Sequence, residues 1–355
     1  MKKTGVILLA AGLSSRMKTF KPLLPFENST IAYHTVTMLK ELGFAPIVVV
    51  TGYRGEELEA HLGATGARFV RNERYRETDM FESVRLGVSA IAGVCDQVMI
   101  MPMDIPAILP DTFRKLCSTE GKVIRTMYQG KPGHPMILDC KVARSILQYQ
   151  GTDGLKGAIG AIETSGESIC NVVVADGAVK KDVDTPEEYQ ELLEWNTKRK
   201  CCALWEKYKT PIAVREHCAA VWEEAQTYLD HSQVNRELIQ SACLLHDLAR
   251  TSPNHAEAGA DILRKEGYES AAEIVSLHHD IEENAGIEAM IVYLADKHRK
   301  GTQYVSLEER FKGSQAKCHT QEAKMCHRKR YEQAQRIEQY ILEWKRHNTE
   351  KGSDV

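Results

Sequence analysis

The run Val6-Ile7-Leu8-Leu9-Ala10-Ala11-Gly12, with Ser14, Ser15 and Arg16 directly behind it and Lys21 soon after, most constrains what this chain can fold into. An unbroken apolar segment that ends on glycine reads as a strand buried on both faces, and such a strand needs helices above and below its sheet. The glycine and the Ser14-Ser15 turn let several backbone N–H groups converge at the strand's carboxyl end. Arg16 and Lys21 add mobile positive charge there, so the segment has the makings of a phosphate cradle.

The same strand chemistry recurs. Short β-branched runs at 5–9, 46–50, 68–70, 97–101, 122–127 and 171–174 alternate with amphipathic stretches, which predicts a mostly parallel sheet whose ligands sit at the carboxyl ends of its strands. From Asp184-Thr185-Pro186-Glu187-Glu188-Tyr189 onward, a helix start with proline in its first turn, strand signals nearly vanish. Ile239, Ala242, Cys243, Leu245 and Leu248 then recur at helical spacing. A chain of 355 residues exceeds one compact core, and we read residues 1–195 as an α/β domain, 196–209 as a helical linker, 210–312 as a helical bundle and 313–355 as a charged C-terminal helix and tail. Cys318-His319 and Cys326-His327 in that tail lack a finger-like spacing. A helix packed on the bundle or on a second subunit is the expectation there.

With 43% hydrophobic residues, 27% charged residues and a net charge of −3, the composition argues against a polyanion binder, so nucleic acid is not an expected partner. Ten cysteines without a framework spacing suggest reduced thiols. The start, Met1-Lys2-Lys3 before an apolar run, mimics a signal peptide, but Gly12, Arg16 and Lys18 interrupt it. No apolar stretch approaches the roughly 18 residues a membrane span requires, and the expected location is the cytoplasm, with no membrane partner.

Asp104, at the end of the strand signal 98–101 and followed by Ile105-Pro106, stands where a carboxylate can hold Mg²⁺. Taken in order, the segments 9–24, 72–87, 101–106, 133–135, 151–154 and 182–189 resemble the molybdenum cofactor cytidylyltransferase branch of the MobA-like nucleotidyltransferases. That resemblance implies a nucleotide site of Leu9, Ala10, Ala11, Gly12, Ser14, Arg16, Lys21, Ser83 and Asp104. Gly12, Arg16 and Lys21 would bind the triphosphate, Asp104 would hold Mg²⁺ and Asp184 would be a second metal carboxylate, with Arg16, Lys21 and Asp104 catalytic. Ser83 and a turn at Gly133-His134-Pro135 would line the nucleotide and acceptor pocket. Relatives that use CTP read Ala-Ala-Gly in the first turn, as does Ala10-Ala11-Gly12 here. Two departures stand out. Lys18 replaces a usual glycine, and Thr78-Asp79-Met80 replaces a commoner Gly-Met, so Asp79 is expected to repel a phosphate. The implied reaction is attack by the terminal phosphate of molybdopterin on the α-phosphorus of CTP, with release of pyrophosphate.

The rear half carries a different chemistry. His217, the adjacent His246-Asp247 within an apolar helix, and Asp296 are ligands suited to Fe, Mn, Zn or Mg, and an adjacent His and Asp among leucines would be costly to bury without a partner. This pattern, over about 211–311, resembles the HD-domain metal-dependent phosphohydrolases. The resemblance implies a core set of His217, His246, Asp247 and Asp296, with Asp247 catalytic. His255, His278 and His279 match members that hold two metals, and Arg250 occupies a phosphate-contacting position.

The combined expectation is an α/β, Rossmann-like nucleotidyltransferase domain with a mostly parallel sheet followed by an all-α HD-domain bundle. It would be a bifunctional enzyme using Mg²⁺ in front and one or two divalent metals behind. Its partners would be a nucleotide, a phosphorylated acceptor and molybdenum enzymes that receive the cofactor. Two alternatives stay open: a nucleotidyltransferase for a sugar or alcohol phosphate, and a pterin-cofactor carrier whose HD domain senses nucleotides.

Overall fold

The computed structural model describes residues 2–229, 234–282, 284–316 and 318–352, with side chains described up to 347. It divides into two compact units, Met1–Leu192 and Leu193–Val355. No helix among the described residues is long and apolar enough to cross a membrane.

The front unit runs β1 (Thr4–Ala10), β2 (Pro25–Phe26), β3 (Ser29–Thr30), α1 (Ile31–Glu41), β4 (Ile47–Thr51), α2 (Gly55–Leu62), β5 (Arg68–Arg71), α3 (Met80–Ile91), β6 (Gln97–Pro102), α4 (Pro110–Ser118), β7 (Val123–Tyr128), β8 (Lys131–Asp139), α5 (Cys140–Ile146), α6 (Gly154–Thr164) and β9 (Ile169–Val173). Its seven-stranded sheet has the order β5-β4-β1-β6-β8-β7-β9. The first four strands are parallel, β8 is antiparallel to both its neighbours, and β9 is parallel to β7. Successive strand side chains point to opposite faces. Ile7, Leu9, Val48 and Val50 pack with Val84, Val88 and Ile91 of α3, while Val6, Leu8, Val49 and Met99 are equally buried on the alternate face. Each such side chain taken from water contributes roughly 1.5–3 kcal/mol. Gly87 marks the closest approach of α3 to β1, because a Cβ there would fall 2.4 Å from Ile7 Cγ2.

Here one expectation is corrected. Gly133-His134-Pro135 is not a turn; it lies inside strand β8. Pro132 and Pro135 remove two ladder donors, the usual mark of a non-strand. The strand tolerates them because its register against β7 shifts between Arg125 and Thr126, leaving His134 and Pro135 in a bulge. Thr126 Oγ1 donates to the Pro135 carbonyl within that bulge.

Helix α7 (Pro186–Lys207) carries the division between the units. Glu188 Oε2 accepts from the backbone N–H groups of Asp184 and Thr185, and Thr185 Oγ1 accepts from Glu188 N, so the helix starts at a reciprocal cap. The segment 196–209, read from sequence as a linker, is a second difference. Cys201, Leu204 and Trp205 are buried in the rear core, and Trp205 Nε1 donates to the Leu244 carbonyl at 2.9 Å.

The rear unit continues with α8 (Ile212–Gln226), α9 (Arg236–Leu245), α10 (His255–Lys265), α11 (Glu269–Leu277), α12 (Ile287–Lys297), the hairpin β10 (Arg299–Lys300) and β11 (Gln303–Tyr304), α13 (Leu307–Gln315) and α14 (Gln321–Gly352). Val221, Leu244, Ile291 and Leu294 form its centre with exposures at or near zero, and Ala334, Ile337 and Ile341 bind α14 to it. His327 of α14 packs on Phe311 and meets Ser314 Oγ at 2.9 Å, a structural role.

Candidate functional sites

In the front unit, β1 and its parallel neighbour β6 place their carboxyl ends side by side, with Leu9 opposite Pro102. The loop after β1 is pinned by buried Met17 and Phe20 and by Met17 N donating to the Ser14 carbonyl. Ser14 and Lys18 both take the left-handed conformation, at φ 51° and 58°. That is the region where only glycine is unstrained, which gives the usual glycine at the Lys18 position a backbone reason.

Lys21 sits at the centre of the charges. Its Nζ lies 2.6 Å from Asp184 Oδ1 and 3.4 Å from Asp104 Oδ2, and Arg16 Nη2 lies 2.7 Å from Asp184 Oδ2. The Lys21 hydrogen bond holds the Asp184 carboxyl below the usual carboxylate range. Burial drives Asp104 the other way, upward against the pull of Lys21, and its buried Oδ1 has no hydrogen-bond partner among the described residues. An orphaned carboxylate oxygen beside a phosphate-type loop fits a divalent cation. Asp182, which opens the 182–189 segment but was given no role from sequence, bears electrostatically on both Asp104 and His134.

Leu9, Ala10, Ala11, Gly12, Ser14, Lys21, Ser83 and Asp104 line one cleft of about 230 Å³. Arg16 reaches Asp184 from the exposed loop. Ser83 Oγ accepts from Asn72 Nδ2 at 3.1 Å. Gly133, His134 and Pro135 stand on β8 and not among the cleft-lining residues. Asp79 lines the cleft, but its Oδ1 accepts from Phe81 N and Glu82 N as the N-cap of α3, which explains a carboxylate at that position.

The rear unit gathers every histidine and aspartate expected there. His217 comes from α8, His246 and Asp247 follow α9, His255 opens α10, His278 and His279 follow α11, and Asp296 lies in the last turn of α12. In three of the rings a backbone carbonyl takes the Nδ1 proton: Gly301 for His217 at 2.9 Å, Cys243 for His246 at 2.8 Å and Val275 for His278 at 2.6 Å. A carbonyl can only accept, so these bonds turn Nε2 inward as the ligating atom. The Nε2 atoms of His246 and His278 are buried, with no hydrogen-bond partner among the described residues.

Asp247 divides its oxygens between two groups. Oδ2 faces His246 at 3.6 Å and His217 at 3.9 Å, whereas Oδ1 faces His255 at 3.2 Å and His278 at 3.8 Å. Correspondingly, the ligand atoms of His217, His246 and Asp247 lie within 4.8 Å of one another, as do those of His255, His278 and His279. Asp296 Oδ1 stands 3.2 Å from His217 and 3.8 Å from His246. Burial opposes the charged form of Asp296, yet Lys297 and His217 hold its carboxyl well below the usual range. Burial pushes His278 down to about 3 and His279 to about 4, so both rings are neutral near pH 7, the form that binds metal. His217 is the exception: the Asp296 carboxylate overcomes burial and raises it, so a cation there competes with a proton.

Arg250 borders this cluster, with Nη1 3.2 Å from Asp247 Oδ1 and 3.0 Å from His255 Nε2. Sequence reasoning missed Lys297 and Arg310. Lys297 Nζ lies 2.8 Å from Asp296 Oδ2 and Arg310 Nη2 lies 3.9 Å from Oδ1, adding cations to the same edge.

Each unit also resembles known proteins. Residues 6–165 match the MobA-like NTP transferase domain and residues 214–300 match the HD domain. The molybdenum cofactor cytidylyltransferase of Escherichia coli (strain K12) is 29% identical over 192 residues, covering 53% of this chain and 95% of that protein. A bifunctional protein GlmU of Streptomyces avermitilis is 24% identical over 203 residues, and the match spans only 42% of its length. Among solved structures, a nucleotidyl transferase from Methanothermobacter thermautotroptrophicus superimposes with a TM-score of 0.50 at 22% identity, covering 56% of this chain and 99% of that one. The polypeptide thus carries two enzyme domains in series, a MobA-like NTP transferase domain followed by an HD domain.

Proposed function

We propose that the front unit transfers a cytidylyl group from CTP to a phosphorylated acceptor, molybdopterin, and that the rear unit hydrolyses a phosphate ester at a two-metal centre. For the front reaction the carrying observation is the convergence of Lys21, Asp104 and Asp184 on the mouth of one cleft, with Asp104 Oδ1 left unpaired among the described residues. The backbone of Gly12 and Ser14 would take the triphosphate, and Arg16 and Lys21 would neutralise it so that an anionic phosphate can approach in line. Asp104 and Asp184 would hold Mg²⁺, which when bound withdraws charge from the α-phosphorus. Ala10-Ala11-Gly12 and the likeness to a cytidylyltransferase support CTP.

In the rear unit, Asp247 turns one oxygen toward each group of histidines, which supports its serving as a ligand in both. His217, His246 and Asp296 would complete one metal position and His255, His278 and His279 the other, for Fe, Mn, Zn or Mg. Ions held there would supply a water of lowered pKa as the nucleophile. Arg250, Lys297 and Arg310 would receive the negative charge of the ester. We place the protein in the cytoplasm, with its ten cysteines as thiols.

Incubation with CTP, molybdopterin and Mg²⁺ is expected to release pyrophosphate. Release only with a sugar or alcohol phosphate would reassign the acceptor, and no release with any nucleotide and acceptor would overturn the transferase reading. For the rear unit, purified protein should contain metal and cleave a generic phosphomonoester or phosphodiester. A metal-free bundle indifferent to His246→Ala and Asp247→Ala would overturn that half.

A further inference from the structure

The segment that supplies His278 and His279 lies beyond the end of a helix. Helix α11 ends at Leu277; beyond it His278 N and Nδ1 both donate to the Val275 carbonyl, and the His278 carbonyl accepts from Lys297 Nζ at 3.1 Å. Among the described residues, His279 meets other imidazoles: its Nε2 lies 2.7 Å from His255 Nε2, and its ring sits 4.0 Å from that of His278. A further hold on the residues just after the two ligands comes from far along the chain. Arg330 of α14 grips Asp280 with two parallel bonds, Nε to Oδ1 at 2.6 Å and Nη2 to Oδ2 at 2.7 Å. Gln333, three residues on and therefore on the same face of the helix, donates Nε2 to the Ile281 carbonyl at 2.7 Å.

Helix α14 is itself anchored. Ala334, Ile337 and Ile341 are buried in the core, and Glu338 pairs with His298 at 3.1 Å, two residues beyond Asp296. It lies wholly outside residues 214–300, the part that matches the HD domain. Both segments that lead out of metal-ligand positions, 278–281 and 296–298, are therefore held by a helix the matched domain does not contain.

We propose that α14 is a clamp for the second metal position, with Arg330 and Gln333 as positioning residues that hold His278 and His279 in register with His255. The proposal rests on the two-metal reading above. The Arg330 and Asp280 side chains are 52% and 65% exposed, and exposed ion pairs contribute little to global stability. The clamp therefore acts on local geometry: ligand atoms must sit within a few tenths of an ångström of their places, and loss of an outer support typically weakens a metal site about 10–100-fold. Arg330 acts at one further remove, so about 10-fold is expected.

The test is titration of the full-length chain with Mn²⁺, free ion being read by electron paramagnetic resonance. It is done in the Asp104→Asn background so that the front unit lacks its buried carboxylate ligand. Two equivalents are expected before any change to α14. Arg330→Ala should leave one equivalent at its original affinity and weaken the other about 10-fold, Gln333→Ala should weaken the same one less, and the charge swap Arg330→Asp with Asp280→Arg should restore it. Thermal melting confirms that each variant is folded; should Arg330→Ala not fold, Gln333→Ala and Arg330→Lys carry the comparison. Two undiminished equivalents in the variants would overturn the clamp while leaving the two-metal reading intact. Equal weakening of both equivalents would also overturn it. A single equivalent in the starting protein would instead overturn the two-metal reading and the clamp built on it.

Discussion

The two sites solve the problem of gathering charge in opposite ways. In front, the carboxylates meet cations supplied by the chain itself: Lys21 bridges Asp104 and Asp184, and Arg16 adds a second contact to Asp184. Behind, the donors outnumber their partners, since the inward nitrogens of His246 and His278 are buried and hydrogen-bonded to none of the described residues. A loop at the carboxyl ends of a sheet's central strands can open to water and exchange one cation for another, whereas a helical interior must be completed by whatever enters it. The lesson is that the front unit should be fully folded without metal and the rear unit should draw stability from it.

The largest test of that contrast separates the chemistries. Asp104→Asn is expected to lower pyrophosphate release by about 10³-fold or more and leave ester hydrolysis within about 2-fold, with Asp247→Ala doing the reverse. Both rates are read on the same preparation. Loss of both activities in either variant would show that the sites are not independent.

Metal removal should come next in size. All four tryptophans, Trp195, Trp205, Trp222 and Trp344, lie in Leu193–Val355, so tryptophan fluorescence reports on the rear unit alone. Metal at about 100 times its dissociation constant adds about 2.7 kcal/mol to a folded state that binds it. For a unit of this size that is roughly 5–10 °C in Tm. Chelation should lower the fluorescence-detected midpoint by that amount and leave the hydrogen-exchange protection of the front unit's sheet amides where it was. An equal loss of stability in both would erase the distinction.

A smaller effect tests the front unit's self-neutralisation. Lys21→Ala leaves buried Asp104 without its cation, at a cost of about 1–3 kcal/mol in urea unfolding. Turnover should fall about 10²-fold. Mg²⁺ should then stabilise the variant more than it stabilises the unaltered protein, because the ion takes over a charge that lysine had balanced. An equal Mg²⁺ response in both would show that Lys21 does not compete with the ion.

How much of the molecule was legible depended on how local the signal was. Three of the four parallel strands, β1, β4 and β6, announced themselves because burial on both faces writes an unbroken apolar run, as in Ile47-Val48-Val49-Val50. β8 did not, since Pro132 and Pro135 conceal a strand that a bulge makes tolerable. The metal-type residues of the rear half stood out because histidine beside aspartate among leucines is costly to bury unless something binds both. Lys297, Arg310, Arg330 and Gln333 carried no such mark. Charged residues at helical spacing look like any solvated face, and only the packing of α12, α13 and α14 reveals which of them turn toward the ligand segments. The boundary was blurred for a related reason: α7 is charged enough to pass for a linker, yet it buries Trp205 in the rear core.

The finest prediction concerns Asp79, where sequence and structure assign the same carboxylate different work. As a charge at the cleft it should repel the triphosphate; as the N-cap of α3 it accepts two backbone N–H groups. Asn keeps the acceptor and discards the charge, whereas Ala discards both. Asp79→Asn should therefore preserve stability and lower the KM for CTP up to about 5-fold, the equivalent of about 1 kcal/mol between charges in a solvated cleft. Asp79→Ala should cost about 1 kcal/mol of stability by loss of the cap. If Asp79→Asn leaves KM unchanged, the carboxylate is a cap alone, and front-site electrostatics reduce to Arg16, Lys21, Asp104 and Asp184. If it raises KM instead, the carboxylate contacts the nucleotide through a cation, and the cleft's charge balance extends one helix further from β1 than Lys21 reaches.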